Sequence, residues 1–179
     1  MIQLKMCIFC KKYNKKELNN LIELECSYCT MIEYIPKKMI NSLINLIEVD
    51  FSNCWYLQSI PFEFVNLHTL KCYSCLSIKY IPDTLIHLTE LDCTNCPLIK
   101  YIPNTFKRLL RLKCNNCPLL KYIPNTLINL EYLNCSSCVK LKYIPRKITN
   151  IIRLNYINCP KLKYKSNISI NLIYLECTH

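Results

Sequence analysis

The chain has 179 residues, about half of them hydrophobic and a fifth charged, which excludes a disordered protein and allows one domain with a sizeable core. It contains neither glycine nor alanine, so backbone positions with positive φ must be filled by another residue, and asparagine is the one expected there. The formal net charge of +11 is compatible with an acidic partner, and equally with a lysine-rich surface that is only solvated.

The N-terminal segment, MIQLKMCIFCKKYNKK, has no apolar stretch followed by a small-residue cleavage site. No window approaches the roughly 18 apolar residues of a membrane span. We therefore expect a soluble protein inside a cell, where most cysteines stay reduced, and the odd count of fifteen cysteines also argues against a fully paired disulfide framework. Residues 1–20 are predicted to form a degenerate N-terminal cap, and residues 21–179 a single repeat domain.

A repeat of 21 residues follows, with the pattern L-x-x-L-x-C-x-x-C-x-x-L-K-Y-I-P-x-x-L-x-x. We number its positions 1 to 21 and its copies as units 1 to 8. The units begin at Leu21, Leu46, Leu67, Leu88, Leu109, Leu130, Ile151 and Leu172. A four-residue insertion near residues 40–43 lengthens unit 1, and the period is constant afterwards.

The alternation at unit positions 4 and 6 predicts a short strand with those two side chains on its buried face. Stacked units would align these strands into a parallel sheet and join their apolar positions into one core. Positions 12 and 15 should add apolar groups from the returning arc. The proline at position 16 should end any second strand and begin the convex segment, since it cannot donate a ladder hydrogen bond.

This pattern resembles the leucine-rich-repeat family, particularly its cysteine-bearing variants, over nearly the whole chain. The resemblance implies an α/β solenoid of about eight repeats of 21 residues, a horseshoe with a parallel β-sheet on the concave face and irregular or short-helical convex arcs. The repeat and the composition together resemble leucine-rich-repeat proteins of giant DNA viruses that infect amoebae, which implies the host cytoplasm. An adaptor role, for instance presenting a host protein to a degradation machine, would follow only from analogy with the family.

Four cysteines near the N-terminus have the spacing of a four-thiolate zinc site: Cys7, Cys10, Cys26 and Cys29. Two of them, however, occupy positions 6 and 9, which are cysteine in most other units. Phe51 and Tyr156 also stand at position 6, where a row of metal ligands would not admit them. We therefore predict that position 6 is a buried apolar site and that position 9 takes the turn role usually held by asparagine. No metal or other cofactor is expected, and the zinc site is the less favoured alternative.

Positions 13 and 14 form a basic row and an aromatic row. The rows are Lys79, Lys100, Lys121, Lys142 and Lys163, and Tyr34, Tyr80, Tyr101, Tyr122, Tyr143 and Tyr164. Such rows fit a track for single-stranded nucleic acid. The interpretation favoured by sequence is that the tyrosines pack between units on the arc and the lysines are solvated.

Positions 3, 5, 7 and 8 are expected to point away from the core on the inner sheet. The candidate partner-binding residues are Glu23, Glu25, Glu48, Asp50, Lys71, Glu90, Asp92, Arg111, Lys113, Tyr132, Arg153 and Tyr174. Opposite charges on adjacent strands could neutralise one another. The remaining pattern, an acidic N-terminal third and a neutral-to-basic C-terminal half, suits a protein partner. It makes nucleic acid an unlikely partner, because the acidic end would repel phosphates.

The sequence predicts no enzyme. His68, His87 and His179 stand at different unit positions and are not expected to converge, and no nucleophile with a positioned base is apparent. No polar capping unit follows the strand around Leu175, so that strand is either an edge that pairs with another copy or the end of a truncated array. The predicted function is thus a protein-binding scaffold that uses its concave face, without a membrane partner. The alternative is a self-assembling or metal-stabilised structural protein.

Overall fold

A computed structural model describes residues 18–163 and 173–177 and confirms the predicted solenoid. Each unit contributes one three-residue strand, and a single helical turn follows the first strand. The elements are β1 (Glu23–Glu25), α1 (Lys37–Ile40), β2 (Glu48–Asp50), β3 (Thr69–Lys71), β4 (Glu90–Asp92), β5 (Arg111–Lys113), β6 (Tyr132–Asn134), β7 (Arg153–Asn155) and β8 (Tyr174–Glu176).

The eight strands form one parallel sheet in the order of the sequence. Each strand pairs with the next so that equal unit positions are opposite one another, as where Leu91 faces Leu112. The central residue of β1 to β7 is buried and its two neighbours are partly or fully exposed. The sheet therefore has a buried face and a solvent face, and we call the latter the sheet face.

The arcs consist of successive tight turns, in which a backbone N–H donates to the carbonyl three residues earlier. In unit 3, Cys75 donates to Cys72 (3.2 Å) and Leu85 donates to Pro82 (3.4 Å). Because a turn of this kind returns side chains to the same side about every three residues, positions 9, 12, 15 and 19 all reach the core. Positions 12 and 15 are thus buried as predicted, and the proline at position 16 opens a turn.

The insertion in unit 1 is accommodated by α1, which begins directly after Pro36. The ring of proline fixes φ at about −65°, a value that is compatible with the start of a helical turn, and Pro36 has φ −61°. Between residues 46 and 163, which are described without a gap, the arcs are irregular. No helix in the described part of the chain is long and apolar enough to cross a membrane.

Unit position 8 has positive φ, between 55° and 61°, in all seven units for which it is described. The residues are Tyr28, Asn53, Ser74, Asn95, Asn116, Ser137 and Asn158. The expectation of asparagine is confirmed at four of them. The expectation that positions 7 and 8 point outward is wrong at Ser52, Asn53 and Ser74, which are buried, because the strand ends at position 5 and the following turn folds back over the core.

We expect Ser137→Gly to stabilise the protein, since glycine adopts positive φ without the steric cost that a Cβ atom adds. Ser77→Gly, in a position where φ is negative, should destabilise it by about 0.5–1 kcal/mol. Urea unfolding of both variants measures the difference. Equal destabilisation by the two substitutions would contradict strain at position 8.

Candidate functional site

All twelve candidate binding residues lie at the first or third position of a strand from β1 to β8. The central residue of β1 to β7 points into the core, so its neighbours project from the opposite side, onto the sheet face, and β8 continues the same register. The side chains of this set are exposed or half-exposed. The structure therefore places the whole predicted set on one continuous surface.

Six of these residues form three ion pairs between adjacent strands. Lys71 Nζ lies 2.5 Å from Glu48 Oε1, Arg111 Nε lies 3.7 Å from Glu90 Oε2, and Lys113 Nζ lies 3.4 Å from Asp92 Oδ2. The parallel register brings each cation beside the acid of the preceding strand. The hydrogen bond to Glu48 raises the pKa of Lys71. Exposed pairs of this kind contribute little to stability, but they neutralise the middle of the sheet face.

Acidic and amide residues at position 5 also serve the turn that follows each strand. The side-chain oxygen of Asp50 accepts from the backbone N–H of Ser52 at 2.8 Å, and that of Asp92 accepts from Thr94 at 3.1 Å. Bonds of this kind stabilise tight turns. The two aspartates thus have a structural role that was not predicted from the sequence, although an Asp or Asn two residues before a small polar residue is a recognisable signal.

The C-terminal part of the sheet face differs from the middle because it contains a groove. The groove has a volume of about 500 Å³ and is lined by residues of β6, β7 and β8, among them Tyr132, Arg153, Tyr174 and Glu176. A smaller groove of about 270 Å³ adjoins it and is lined by Arg111, Glu131, Tyr132 and Arg153, among others. Tyr132 and Arg153 thus stand between the two grooves.

Arg153 is exposed, and none of the ion pairs within residues 18–163 and 173–177 includes it. The reason is the residue that pairs with it on the preceding strand. Arg153 pairs with Tyr132 on β6, whereas Arg111 pairs with the acidic Glu90 on β4. Tyr132 itself lies beside Arg111, whose Cζ is 5.8 Å from the ring centroid. A guanidinium presents a planar set of donors that matches a carboxylate or a phosphate. At Arg153 the groove can therefore receive an anionic group between aromatic walls, while the carboxylate of Glu176 in the lining already accepts a hydrogen bond from the amide of Asn155.

The cysteines at position 9 form a row of hydrogen bonds inside the solenoid. Each thiol donates to the backbone carbonyl of position 6 in the preceding unit, at 3.0–3.2 Å. The donors and acceptors are Cys54 to Cys26, Cys75 to Phe51, Cys96 to Cys72, Cys117 to Cys93, Cys138 to Cys114 and Cys159 to Cys135. We call this row the thiol ladder. It confirms the predicted turn role of position 9.

Position 6 is a buried apolar row, as predicted. Cys72, Cys93, Cys114 and Cys135 are fully buried, and Phe51 and Tyr156 occupy the same row. A hydrogen bond with the thiol of the next unit's position 9, together with burial, raises the pKa of each of these four cysteines well above its usual value. Such thiols stay protonated and are poor nucleophiles and poor metal ligands.

Two members of the zinc alternative, Cys7 and Cys10, lie outside the described residues. Cys26 forms a disulfide bond, and Cys29 is buried behind β1. Within the described ranges, moreover, no group of three or more His, Cys, Asp or Glu side chains is placed to hold a metal ion.

The expectation that the histidines stay apart is wrong for two of them. The rings of His68 and His87 stack with their centroids 6.1 Å apart, because the last position of unit 3 lies beside the second position of the same unit, one turn of the solenoid earlier. His68 Nδ1 is 3.0 Å from the carbonyl of Asn66, and His87 Nδ1 is 3.1 Å from the guanidinium of Arg108. Neither partner is a nucleophile or a base, so the pair resembles no catalytic arrangement. His179 lies outside the described residues.

The lysines and tyrosines of positions 13 and 14 lie on the arc, and the lysines are solvated as expected. The tyrosines are less packed than expected, since Tyr34, Tyr80, Tyr101, Tyr122 and Tyr143 are 40–56% exposed. Tyr122 and Tyr143 contact each other across units, with ring centroids 5.3 Å apart. Tyr164 lies outside the described residues.

Comparison with known proteins agrees with this architecture. The Leucine Rich Repeat family model matches residues 87–109. The crystal structure of a plant ice-binding protein has a TM-score of 0.61 at 16% identity, covering 93% of this chain and 60% of that one. The Arabidopsis receptor kinase HAESA ectodomain, in complex with an extended IDA peptide hormone, has a TM-score of 0.54 at 18% identity, covering 87% of this chain and 29% of that one.

A second HAESA structure, with IDA and the co-receptor SERK1, has a TM-score of 0.50 at 20% identity, covering 75% of this chain and 24% of that one. No curated protein sequence matches the chain. The chain spans 60% or less of the length of these solved structures. At such identities the likeness concerns the fold, and together with the matched repeat it supports the leucine-rich-repeat family.

The thiol ladder predicts that a donor at position 9 stabilises the solenoid. Cys117→Ala should lower the free energy of unfolding by about 1–3 kcal/mol, since it leaves the buried carbonyl of Cys93 without this donor and opens a small cavity. Cys117→Ser keeps a donor and should cost less. Denaturant unfolding under reducing conditions compares them, and a serine variant that is less stable than the alanine variant would contradict a bonding role.

Cys159, at the C-terminal end of the ladder, should be the reactive thiol of the row. It is half-buried, and a hydrogen bond from the thiol of Cys135 lowers its pKa to about 7. We expect its alkylation by iodoacetamide, followed by peptide mass spectrometry, to reach half its maximal rate near pH 7. Cys93 should be modified only after unfolding. An alkylation profile for Cys159 that rises only above pH 8 would be at odds with this assignment.

Proposed function

We propose that the chain is a non-enzymatic scaffold that binds a protein partner through the sheet face, with Arg153 as the central contact. The observation that carries the proposal is an exposed guanidinium that belongs to none of the sheet face's ion pairs and stands between two grooves. Arginine and tyrosine are the residue types that most often dominate the energetics of protein interfaces.

The other cations of the sheet face are less suited to this role. Lys71, Arg111 and Lys113 each face an acid of the preceding strand, and a ligand would have to compete with that acid. Arg153 needs no such exchange. An acidic side chain or a C-terminal carboxylate of the partner would meet it with two parallel hydrogen bonds, while Tyr132 and Tyr174 supply apolar contact on either side.

The N-terminal end of the sheet face is acidic, so it would attract a basic segment at the other end of the same partner. Glu23 and Asp50 lie on β1 and β2, and a basic segment would be attracted to them. Eight strands spaced by about 4.8 Å span roughly 34 Å, the reach of about ten extended residues. The proposed ligand is therefore an extended segment, acidic where it contacts β7 and basic where it contacts β1.

The HAESA structures support such a ligand by analogy, because that ectodomain has the same kind of fold and is in complex with a peptide hormone. The groove at β6–β8 is our reason for proposing that this chain also binds a peptide or a protein. A cofactor has no part in this function. The giant-virus resemblance, and with it a location in host cytoplasm, stays a hypothesis based on composition.

A second candidate is self-association through β8. Among the described strands β8 pairs only with β7, and its flank exposes Ile173 and Leu175, by 82% and 43%. An open edge of this kind can accept a strand from another molecule. Sedimentation analysis of the protein at tens of micromolar tests self-association, and a strictly monomeric protein would exclude it. If the assembly is stabilised by a metal, it should also dissociate when a chelator is added.

Arg153→Glu should abolish selection of acidic peptides by the scaffold. We would select a displayed library of random 12-residue peptides on wild type, on Arg153→Glu and on the matched control Arg146→Glu, whose exposed side chain lies on the arc. Peptides enriched on wild type should carry an acidic residue. Calorimetry should show about 10- to 100-fold weaker binding to Arg153→Glu, as expected for loss of a charged contact, and little change for Arg146→Glu.

Two results would refute this site. Selected peptides that bind Arg153→Glu as tightly as wild type would move the interface away from the groove. If Arg153→Glu and Arg146→Glu weaken peptide binding equally, the loss of binding comes from the change in net charge and not from this site.

A further inference from the structure

Charge is sorted along the chain. Residues 18–92 contain nine acidic and four basic side chains, whereas residues 93–163 contain thirteen basic side chains and one acidic, Glu131. The two segments are nearly equal in length, so the separation does not come from segment size. The C-terminal units present a strong positive surface that the proposed protein-binding face uses only at Arg153 and its neighbours.

The lysines at position 13 form the most regular part of that surface. The backbone N–H of Lys142 donates to the carbonyl of Lys121 at 3.0 Å, and that of Lys163 donates to Lys142 at 2.9 Å. These bonds hold three exposed lysines on consecutive coils, at about the 4.8 Å spacing of parallel strands. Glu131 stands at position 2, beside β6, half a turn of the coil away. The lysine row is thus a line of like charges that an extended anion would neutralise.

Aromatic side chains run beside the lysines. Tyr122 and Tyr143 are 40% and 48% exposed and contact each other, and Lys142 Nζ lies 5.7 Å from the centroid of the Tyr122 ring. Exposed rings next to a cationic row offer stacking platforms for planar groups. A ligand with only negative charges would leave these rings unused.

A groove continues the aromatic row toward the N-terminus. It has a volume of about 520 Å³, and its walls include Tyr80, Tyr101 and Pro103, with Asp83 and Asn104 also in the lining. A carboxylate accepts hydrogen bonds from amino groups and repels phosphate, so Asp83 would admit a base edge and turn a phosphate away. The groove therefore has the chemistry of a site for a nucleobase beside the lysine row.

We propose that this surface binds single-stranded nucleic acid, with phosphates along the position 13 lysines and bases on the position 14 tyrosines. We call it the Lys–Tyr surface. Its residues are Lys79, Lys100, Lys121, Lys142 and Lys163 with Tyr80, Tyr101, Tyr122 and Tyr143.

The acidic strand residues, which made nucleic acid an unlikely partner when only the sequence was considered, lie on the sheet face and not on this arc. Glu48, Glu90 and Asp92 are also paired there with lysine or arginine. At physiological ionic strength the field of an exposed charge is screened within about 8 Å. Those acids therefore repel a strand on the far side of the coil only weakly.

Fluorescence anisotropy with a fluorescein-labelled 20-mer of thymidine tests the lysine row at 50 and 200 mM NaCl. Lys121→Gln/Lys142→Gln/Lys163→Gln should weaken binding at least about tenfold and reduce the slope of log affinity against log salt by about 2, as expected for three lost phosphate contacts. The matched control removes three exposed charges elsewhere, Lys37→Gln/Lys38→Gln/Lys107→Gln, and should weaken binding less than about threefold. Circular dichroism verifies that each variant is folded.

A second comparison tests the role of the bases. Tyr122→Leu/Tyr143→Leu should weaken binding of the 20-mer by at least about fivefold, since stacked bases are lost, and leave binding of polyphosphate of equal charge unchanged. The proposal is overturned if wild type does not bind the 20-mer at 50 mM NaCl, or if both lysine variants weaken it equally. It is also overturned if polyphosphate or phosphatidylserine vesicles bind as tightly while the tyrosine substitutions change nothing.

Discussion

The stacking of each unit on the next in constant register is the constraint on which the rest of the structure depends. A coil buries its strand centre, its turn cysteines and its arc residues only against another coil, so equal positions must meet along the chain. Rows of polar side chains then donate hydrogen bonds to the backbone carbonyls that are not paired within the short strands. The thiol ladder serves position 6, and on the arc the hydroxyls of Thr84, Thr105 and Thr126 donate to position 17 of the preceding unit at 2.6–2.7 Å. Each of these rows requires the same spacing between consecutive units, so the rows support one another.

That register also decides which surface residues are free to bind. Where a cation follows an acid at the same position, as Arg111 follows Glu90, the two neutralise each other. Where it follows an aromatic residue, as Arg153 follows Tyr132, the charge stays available and the ring forms one wall of a groove. A binding site in such a protein is therefore a local break in the pairing of rows, and the identity of the residue one unit earlier matters as much as that of the residue itself.

Much of this architecture could be predicted from the sequence, because the 21-residue period determines which side chains become neighbours. The strand positions, the buried cysteines at position 6 and the donor role of position 9 all follow from it. Contacts between different unit positions could not be predicted in the same way. The stacking of His68 on His87 depends on how the end of unit 3 passes the start of the same unit. The burial of Asn53 depends on how the turn after β2 folds over the core. Both are set by the path of the backbone between the repeated positions.

The two proposed binding surfaces lie on different sides of the coil, and the separation has a physical basis. On the sheet face, short strands in register bring acids and bases together, so most of the charge is cancelled and recognition depends on a groove and one arginine. On the arc of units 5 to 7, position 13 is lysine in every unit and no acid alternates with it at that position, so the charges add. A ligand on one face need not displace a ligand on the other. A scaffold of this kind could hold a protein and a nucleic-acid strand at the same time, and the coupling between them would be weak, because the rigid core between the two faces consists of apolar contacts that neither ligand would alter.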